Sequence, residues 1–200
     1  MNDNIGVGPH PQPWPTDPHY DPQLLAEGDH RNVIDKYRYW TVAAIKQDLD
    51  RHRLPLEIAI ENLQRDFNIG TIVRTANAFN VRAVHIIGKR QWNRRGAMVT
   101  DVYMNIHHHP SVQAFIESTA GKKIIAVDIV SDAKDIAAVE LPEETVLVFG
   151  GEGPGLSQEM LHVADEIVKI DQQGSTRSIN VGVAAGISMY MWLLQHSLKR

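Results

Sequence analysis

The chain has no cysteine, which excludes disulfides, zinc ribbons and thiol nucleophiles. It also lacks a long apolar run. The longest, Val181 to Leu194, holds 14 residues interrupted by Gly182, Gly186 and Ser188, short of the roughly 18 that a bilayer span needs. Residues 1–30 contain no Lys or Arg but six of the ten prolines. Met1 to Pro22 is therefore proline-rich and acidic, where a signal peptide would be basic and then apolar. These absences point to a cytoplasmic protein independent of membranes. What is present is ordinary for a globular chain of 200 residues: 43% hydrophobic, 22% charged and 6% aromatic.

The net charge of −4 hides an uneven distribution. Residues 1–30 carry −5, residues 31–100 carry +7 and residues 101–200 carry −6. A phosphate backbone responds to the local field of such a basic middle third, whatever the total. Solvated helix faces would give the same count.

Residues 1–30 show almost no periodicity and read as a disordered or extended tail. From Asn32 the apolar residues Val33, Ile34, Tyr37, Trp40, Thr41, Ala44 and Ile45 fall on one helical stripe. This predicts a basic amphipathic helix to about His52, with Lys36, Arg38, Lys46 and Arg51 opposite, and places it at 31–54. The rest, 55–200, reads as one α/β domain with a mainly parallel sheet. Strands are expected at Leu56–Ile60, Ala83–Ile87, Lys123–Asp128, Thr145–Phe149 and Glu166–Ile170. Helices are expected at Ile69–Phe79, Ser111–Ser118, Ser157–His162 and Ile179–His196.

Three segments stand where a strand runs into a helix, the place where open α/β sheets bind ligands. The first contains Asn68, Gly70 and Arg74. Its apolar positions put Arg74 away from the core, on the side of Gly70, whose missing side chain would leave room for a phosphate or ribose. A plain solvated arginine fits that position too. The second runs from Val146 through Gly150, Gly151, Glu152, Gly153, Pro154 and Gly155 to Leu156, four glycines around one acid. Backbone groups there can touch a ligand directly, although the pattern is neither a dinucleotide fingerprint nor a P-loop. The third, Ile170 to Asn180, enters a closing helix that is apolar nearly all round, as a helix buried in a core or a subunit interface is.

Asn68-x-Gly70-x-x-x-Arg74, Gly150-x-Glu152-x-x-Gly155-Leu156 and Ser178-Ile179-Asn180, in that order, resemble the three motifs of the SPOUT superfamily. They look like its SpoU branch, the TrmH-type RNA 2′-O-ribose methyltransferases, over residues 55–197. Gln173 to Asn180 is most similar to the members acting on a D-loop guanosine of tRNA. The resemblance implies a carboxyl-terminal trefoil knot, S-adenosylmethionine as cofactor, a tRNA or rRNA substrate, and a homodimer joined by the closing helix. It further implies that Gly150, Glu152, Gly155, Leu156, Ile170 and Ile179 bind the cofactor. Arg74 would act at the ribose hydroxyl, with Asn68, Glu152, Ser178 and Asn180 holding the site together and Glu152 facing Arg74. Asp171 and Ile179 replace a proline and a leucine common in the family, and Gly151 replaces a larger residue.

Lys89, Arg90, Trp92, Arg94 and Arg95 combine charge and stacking in one loop and are the candidate RNA contacts. His107, His108 and His109 are adjacent and cannot all face one ion on a regular element, so no metal is expected. Two other readings share these features: an RNA-binding relative without turnover, and a dinucleotide-dependent oxidoreductase. The second lacks a G-x-G-x-x-G.

Overall fold

The computed structural model describes residues 6–62, 68–151 and 155–198. It forms two compact units, one ending at Arg53 and one beginning at Leu54.

In the first unit, Asp21 caps the short helix α1 (Pro22–Glu27), and Gly28, at φ 95°, ends it. The fully buried Asp29 carboxylate accepts two bonds from the Arg31 guanidinium (2.8 and 2.6 Å) and one from the Tyr39 amide (2.9 Å). Burial pushes this carboxyl up, but Arg31 and the backbone donors outweigh it and hold it at about 2. The described part of the expected tail is tied into this folded unit by backbone pairing of Val7 with Asp29 and of Tyr20 with Trp40. The helix expected over Asn32–His52 is divided into a 3-10 turn at Asp35–Tyr37, a left-handed Tyr39 (φ 63°) and helix α2 (Val42–Asp50), capped by Thr41. Asp29 is the cause, because it takes the Tyr39 N–H out of any helical ladder. Lys36 bonds to Asp48 (2.5 Å) and Arg38 to the Arg31 carbonyl (2.8 Å). Two cations of the expected open basic face are therefore engaged inside the unit.

The second unit is built on strands β1 (Leu54–Asn62), β2 (Val81–Gly88), β3 (Ile106–His109), β4 (Lys123–Val127), β5 (Lys134–Asp135), β6 (Thr145–Phe149) and β7 (Glu166–Lys169). They form one sheet in the order β3-β2-β1-β6-β4-β7-β5, with every neighbouring pair parallel. The sequence reading misses β3, three of whose four residues are histidine, and the two-residue β5. Helices α3 (Asn68–Ala78) and α6 (Val181–His196) cover one face; α4 (Val112–Ser118) and α5 (Gln158–Val163) cover the other. Ser111 and Ser157 cap α4 and α5 with their hydroxyls.

Alternation along the strands separates two cores. Leu56, Ile58, Ile60, Leu147 and Phe149 meet Ile72, Ala76, Met189 and Trp192 on the α3–α6 side. Ala59, Ile87, Val146 and Val148 meet Phe115 and Met160 on the other. The small face of α6 packs on α3: a Cβ at Gly182 would lie 3.2 Å from Thr71 Cγ2, and one at Gly186 3.8 Å from Thr75 Cγ2. The side turned away from the core leaves Val183, Ile187, Tyr190 and Leu194 exposed at helical spacing.

A polar chain crosses the second core. Glu57 accepts from Lys122 Nζ (2.6 Å) and from His85 Nε2 (2.9 Å), and His85 Nδ1 lies 2.8 Å from His109 Nε2. Burial raises Glu57, but its bonds from His85 and Lys122 outweigh that and hold it at about 2. Burial, followed by the neighbouring histidines, pushes His109 down to about 4. His108 points to the other side of β3 and bonds to the Gly88 carbonyl (2.7 Å).

Candidate active site

A cavity of about 640 Å³ opens at the carboxyl ends of β4, β6 and β7, within the ~300–1,000 Å³ typical of small-molecule sites. Its walls include Asp128, Gly150, Gly151, Gly155, Lys169, Ile170, Gln172, Arg177, Ser178, Ile179, Asn180 and Val181. The two ends of the glycine loop touch: Gly155 N donates to Gly151 O (3.3 Å), and a Cβ on Gly150 would lie 2.1 Å from the Gly155 carbonyl carbon. Only glycine fits there. Gly155 has φ 70°, and a Cβ on it would meet the Asp128 carboxylate at 2.8 Å. That carboxylate accepts from the Leu156 amide (2.8 Å) and the Ile129 amide (2.7 Å), so it ties the end of β4 to the loop after β6. Gln172 Oε1 is buried at the cavity wall and has no hydrogen-bond partner among the described residues. A buried acceptor without a donor at a cavity wall fits a polar ligand.

The first turn of α6 forms one wall. Asn180 Oδ1 caps the helix, accepting from Gly182 N (2.9 Å) and Val183 N (3.3 Å), which leaves its Nδ2 to donate to Asn68 Oδ1 (2.9 Å). This bond joins the first and third motifs, 112 residues apart in sequence. From Asn68, α3 carries Arg74 to an exposed position, where it makes no hydrogen bond or ion pair among the described residues.

Of the expected cofactor residues, Gly150, Gly155, Ile170 and Ile179 line the cavity, as do Ser178 and Asn180. Leu156 is buried in the core under α5, and only its amide turns to Asp128. Glu152, and with it the expected pairing to Arg74, lies outside the described residues. Asn180 caps α6, which begins at Val181, two residues after the expected start. The space expected beside Gly70 is filled by backbone: a Cβ there would lie 2.8 Å from Ala97 N and 2.9 Å from Gly96 Cα. What that glycine admits is the basic loop itself, which packs on α3 one turn before Arg74. Lys89, Arg90, Arg94 and Arg95 are exposed, while Trp92 is half-buried against the core with Arg94 lying 5.7 Å over its ring. Buried Asn62 holds the loop, donating to Lys89 O (2.5 Å) and Gln91 O (3.0 Å). Asp128, Gln172, Arg177 and Asn62 were not singled out by sequence, because only chain closure brings them to the site.

Residues 55–190 match the model of the SpoU rRNA methylase family. The chain belongs to that family. This SpoU-family chain is 29% identical over 151 residues to the tRNA (guanosine(18)-2′-O)-methyltransferase of Thermus thermophilus, covering 73% of its own length and 78% of that protein's. The TrmH/SpoU tRNA modifying enzyme of A. aeolicus superposes with a TM-score of 0.67 at 27% identity, covering 77% of this chain and 81% of that one. The SpoU methyltransferase AviRb of Streptomyces viridochromogenes follows at 0.61 and 26%, covering 74% and 63%. Among the described residues, no helix of the SpoU-family chain is long and apolar enough to cross a membrane.

Proposed function

We propose that the chain transfers a methyl group from S-adenosylmethionine to a ribose 2′-hydroxyl of tRNA, with the D-loop guanosine as first target. The observation that carries this reading is the Asn180–Asn68 bond, which fixes the helix of Arg74 to the helix end lining the cavity. The cavity's glycine-closed loop, the Asp128 carboxylate and the unpartnered Gln172 suit a cationic cofactor rich in hydrogen-bonding groups. Gly150, Gly155, Ile170 and Ile179 would hold it, largely through backbone groups. When bound, S-adenosylmethionine supplies the methyl that the 2′-oxygen takes as the carbon–sulfur bond breaks.

A ribose hydroxyl is a poor nucleophile, so the protein must orient it and stabilise charge growing on its oxygen. Arg74, exposed on α3, is the cation for that task. A guanidinium does not readily give up its proton, so Arg74 grips a phosphate and lowers the hydroxyl's pKa rather than serving as base, and the hydroxyl proton passes to solvent water. Asn68 and Asn180 set the angle of its helix, while Ser178 and Glu152 complete the loops around the ribose. Lys89, Arg90, Trp92, Arg94 and Arg95 take the RNA backbone. The carboxyl-terminal segment is threaded as the family's knot, and two copies pair through the exposed stripe of α6. A tRNA substrate places the protein in the cytoplasm.

The deciding experiment offers labelled S-adenosylmethionine with total tRNA and, separately, ribosomal RNA, followed by nuclease mapping. A 2′-O-methyl nucleotide in tRNA supports the reading. Label in ribosomal RNA alone moves the substrate, and label in neither pool with cofactor still bound leaves a non-catalytic RNA binder.

A further inference from the structure

Met98 and Val99 both stand in the left-handed region, at φ 48° and 66°. That conformation is unfavourable for any residue with a Cβ and most of all for a β-branched one. Their side chains are nonetheless 56% and 71% exposed, and Val102 beside them is 39% exposed. Backbone strain that ends with apolar groups in water stabilises nothing in the free protein; such strain gathers where a ligand is gripped.

The knuckle is rigidly mounted. Thr100, buried, donates its hydroxyl to Ala97 O (2.7 Å), and Asn93 accepts from the Arg95 amide (2.9 Å). The Gly96 backbone lies against Gly70 and Thr71, so the knuckle rides on the helix that carries Arg74. Lys89, Arg90, Arg94 and Arg95 are exposed in the same loop, with Arg94 lying 3.5 Å from the Asp101 carboxylate.

We propose that Met98 and Val99 form an apolar wedge that enters the RNA between neighbouring bases and unstacks the nucleotide presented to Arg74. The inference rests on the RNA methyltransferase reading above and adds how a stacked nucleotide is opened. Proteins that recognise RNA loops splay unstacked nucleotides out of them, which brings a chosen ribose to a site set back in the protein. Apolar side chains inserted at a base step do this, and basic neighbours hold the flanking phosphates. RNA fits this surface better than a second copy of the chain, because a two-fold contact here would bring matching clusters of positive side chains together.

The test uses the full-length double variant M98N/V99G. Asparagine and glycine tolerate the left-handed conformation, so the melting temperature should rise, by about 2–4 °C. S-adenosylmethionine affinity should not change. A tRNA transcript carrying 2-aminopurine next to the target guanosine should brighten when the wild-type protein binds and stay dark with the variant. kcat/KM on folded tRNA should fall about tenfold, with a loss under twofold on a short single-stranded oligonucleotide of the same sequence. A variant that keeps the fluorescence rise and its kcat/KM on tRNA overturns the wedge. So does one that changes sedimentation while still unstacking the base, which would mark a subunit contact. Wild-type protein that transfers methyl without unstacking overturns the wedge alone; wild-type protein that unstacks tRNA without transferring methyl supports the wedge and overturns the methyltransferase reading.

Discussion

Arg74 owes its position to contacts made by its helix, not by its own side chain. Asn68 begins its helix, Asn180 holds Asn68, and the basic loop packs against Gly70. Arg74→Ala should lower kcat by about 10²–10³-fold, the size of losing a charge-stabilising donor. Calorimetry should then find S-adenosylmethionine affinity within twofold of wild type; a tenfold loss would place Arg74 at the cofactor instead. Glu57 and His109 make a second residue-scale prediction. His109 is held at about 4 against an ordinary 6.5, so the unfolded chain binds the extra proton between those values. Its contribution to stability is complete above pH 6.5 and is lost as pH falls toward 4. Glu57, at about 2 against 4.5, contributes fully above 4.5 and loses that contribution toward 2. Urea midpoints should therefore drop steadily below pH 6.5, and His109→Gln should flatten the curve between 6.5 and 5. Arg74 and Asn180 were legible in sequence because motif spacing marks them. Gln172 and Asp128 were not, since an unpartnered acceptor and a loop tie exist only once β4, β6 and β7 lie side by side.

Among elements, α6 has three separate faces: its small face meets α3, its first turn lines the cavity and its outer stripe is open. Asn180 separates the structural from the catalytic share. Asn180→Ala removes the helix cap and should cost about 1 kcal/mol of stability in denaturant titrations. Asn180→Ser restores the cap with a side chain too short for Asn68, so stability should return while methyl transfer stays about tenfold down. A serine variant with full activity would show that the bond to Asn68 is dispensable. The buried strands and amphipathic helices of this unit follow from apolar period alone, and Thr145–Phe149 appears with the expected bounds. The expected helix over Asn32–His52 does not form whole, because period says nothing about a buried carboxylate that claims the Tyr39 amide. β3 stayed hidden for the opposite reason: its histidines pair across strands, a contact no local pattern reports.

At the scale of the molecule, a chain of net charge −4 still exposes Lys89, Arg90, Arg94 and Arg95 on the loop that packs against α3. Composition showed the basic segment, and the fold gathers part of it beside Arg74. The apolar stripe Val183, Ile187, Tyr190 and Leu194 has the other whole-molecule consequence. In the proposed pairing, Ile187→Glu with Leu194→Glu should leave only monomers in sedimentation velocity, because a charge cannot be desolvated unpaired in such a contact. Wild-type protein that sediments as a monomer at tens of micromolar would remove the pairing.

The sheet order also constrains how the chain is made. β1 pairs on one side with β2, soon after it in sequence, and on the other with β6, where Ile58 lies opposite Leu147. On the ribosome, the β6-facing edge of β1 therefore stays bare until almost ninety further residues have emerged, roughly 5–20 s at ordinary synthesis rates. The loop that closes the cavity lies beyond that point. Binding competence is acquired only after that pairing, and the exposed edge before it is the stage at which aggregation competes with folding.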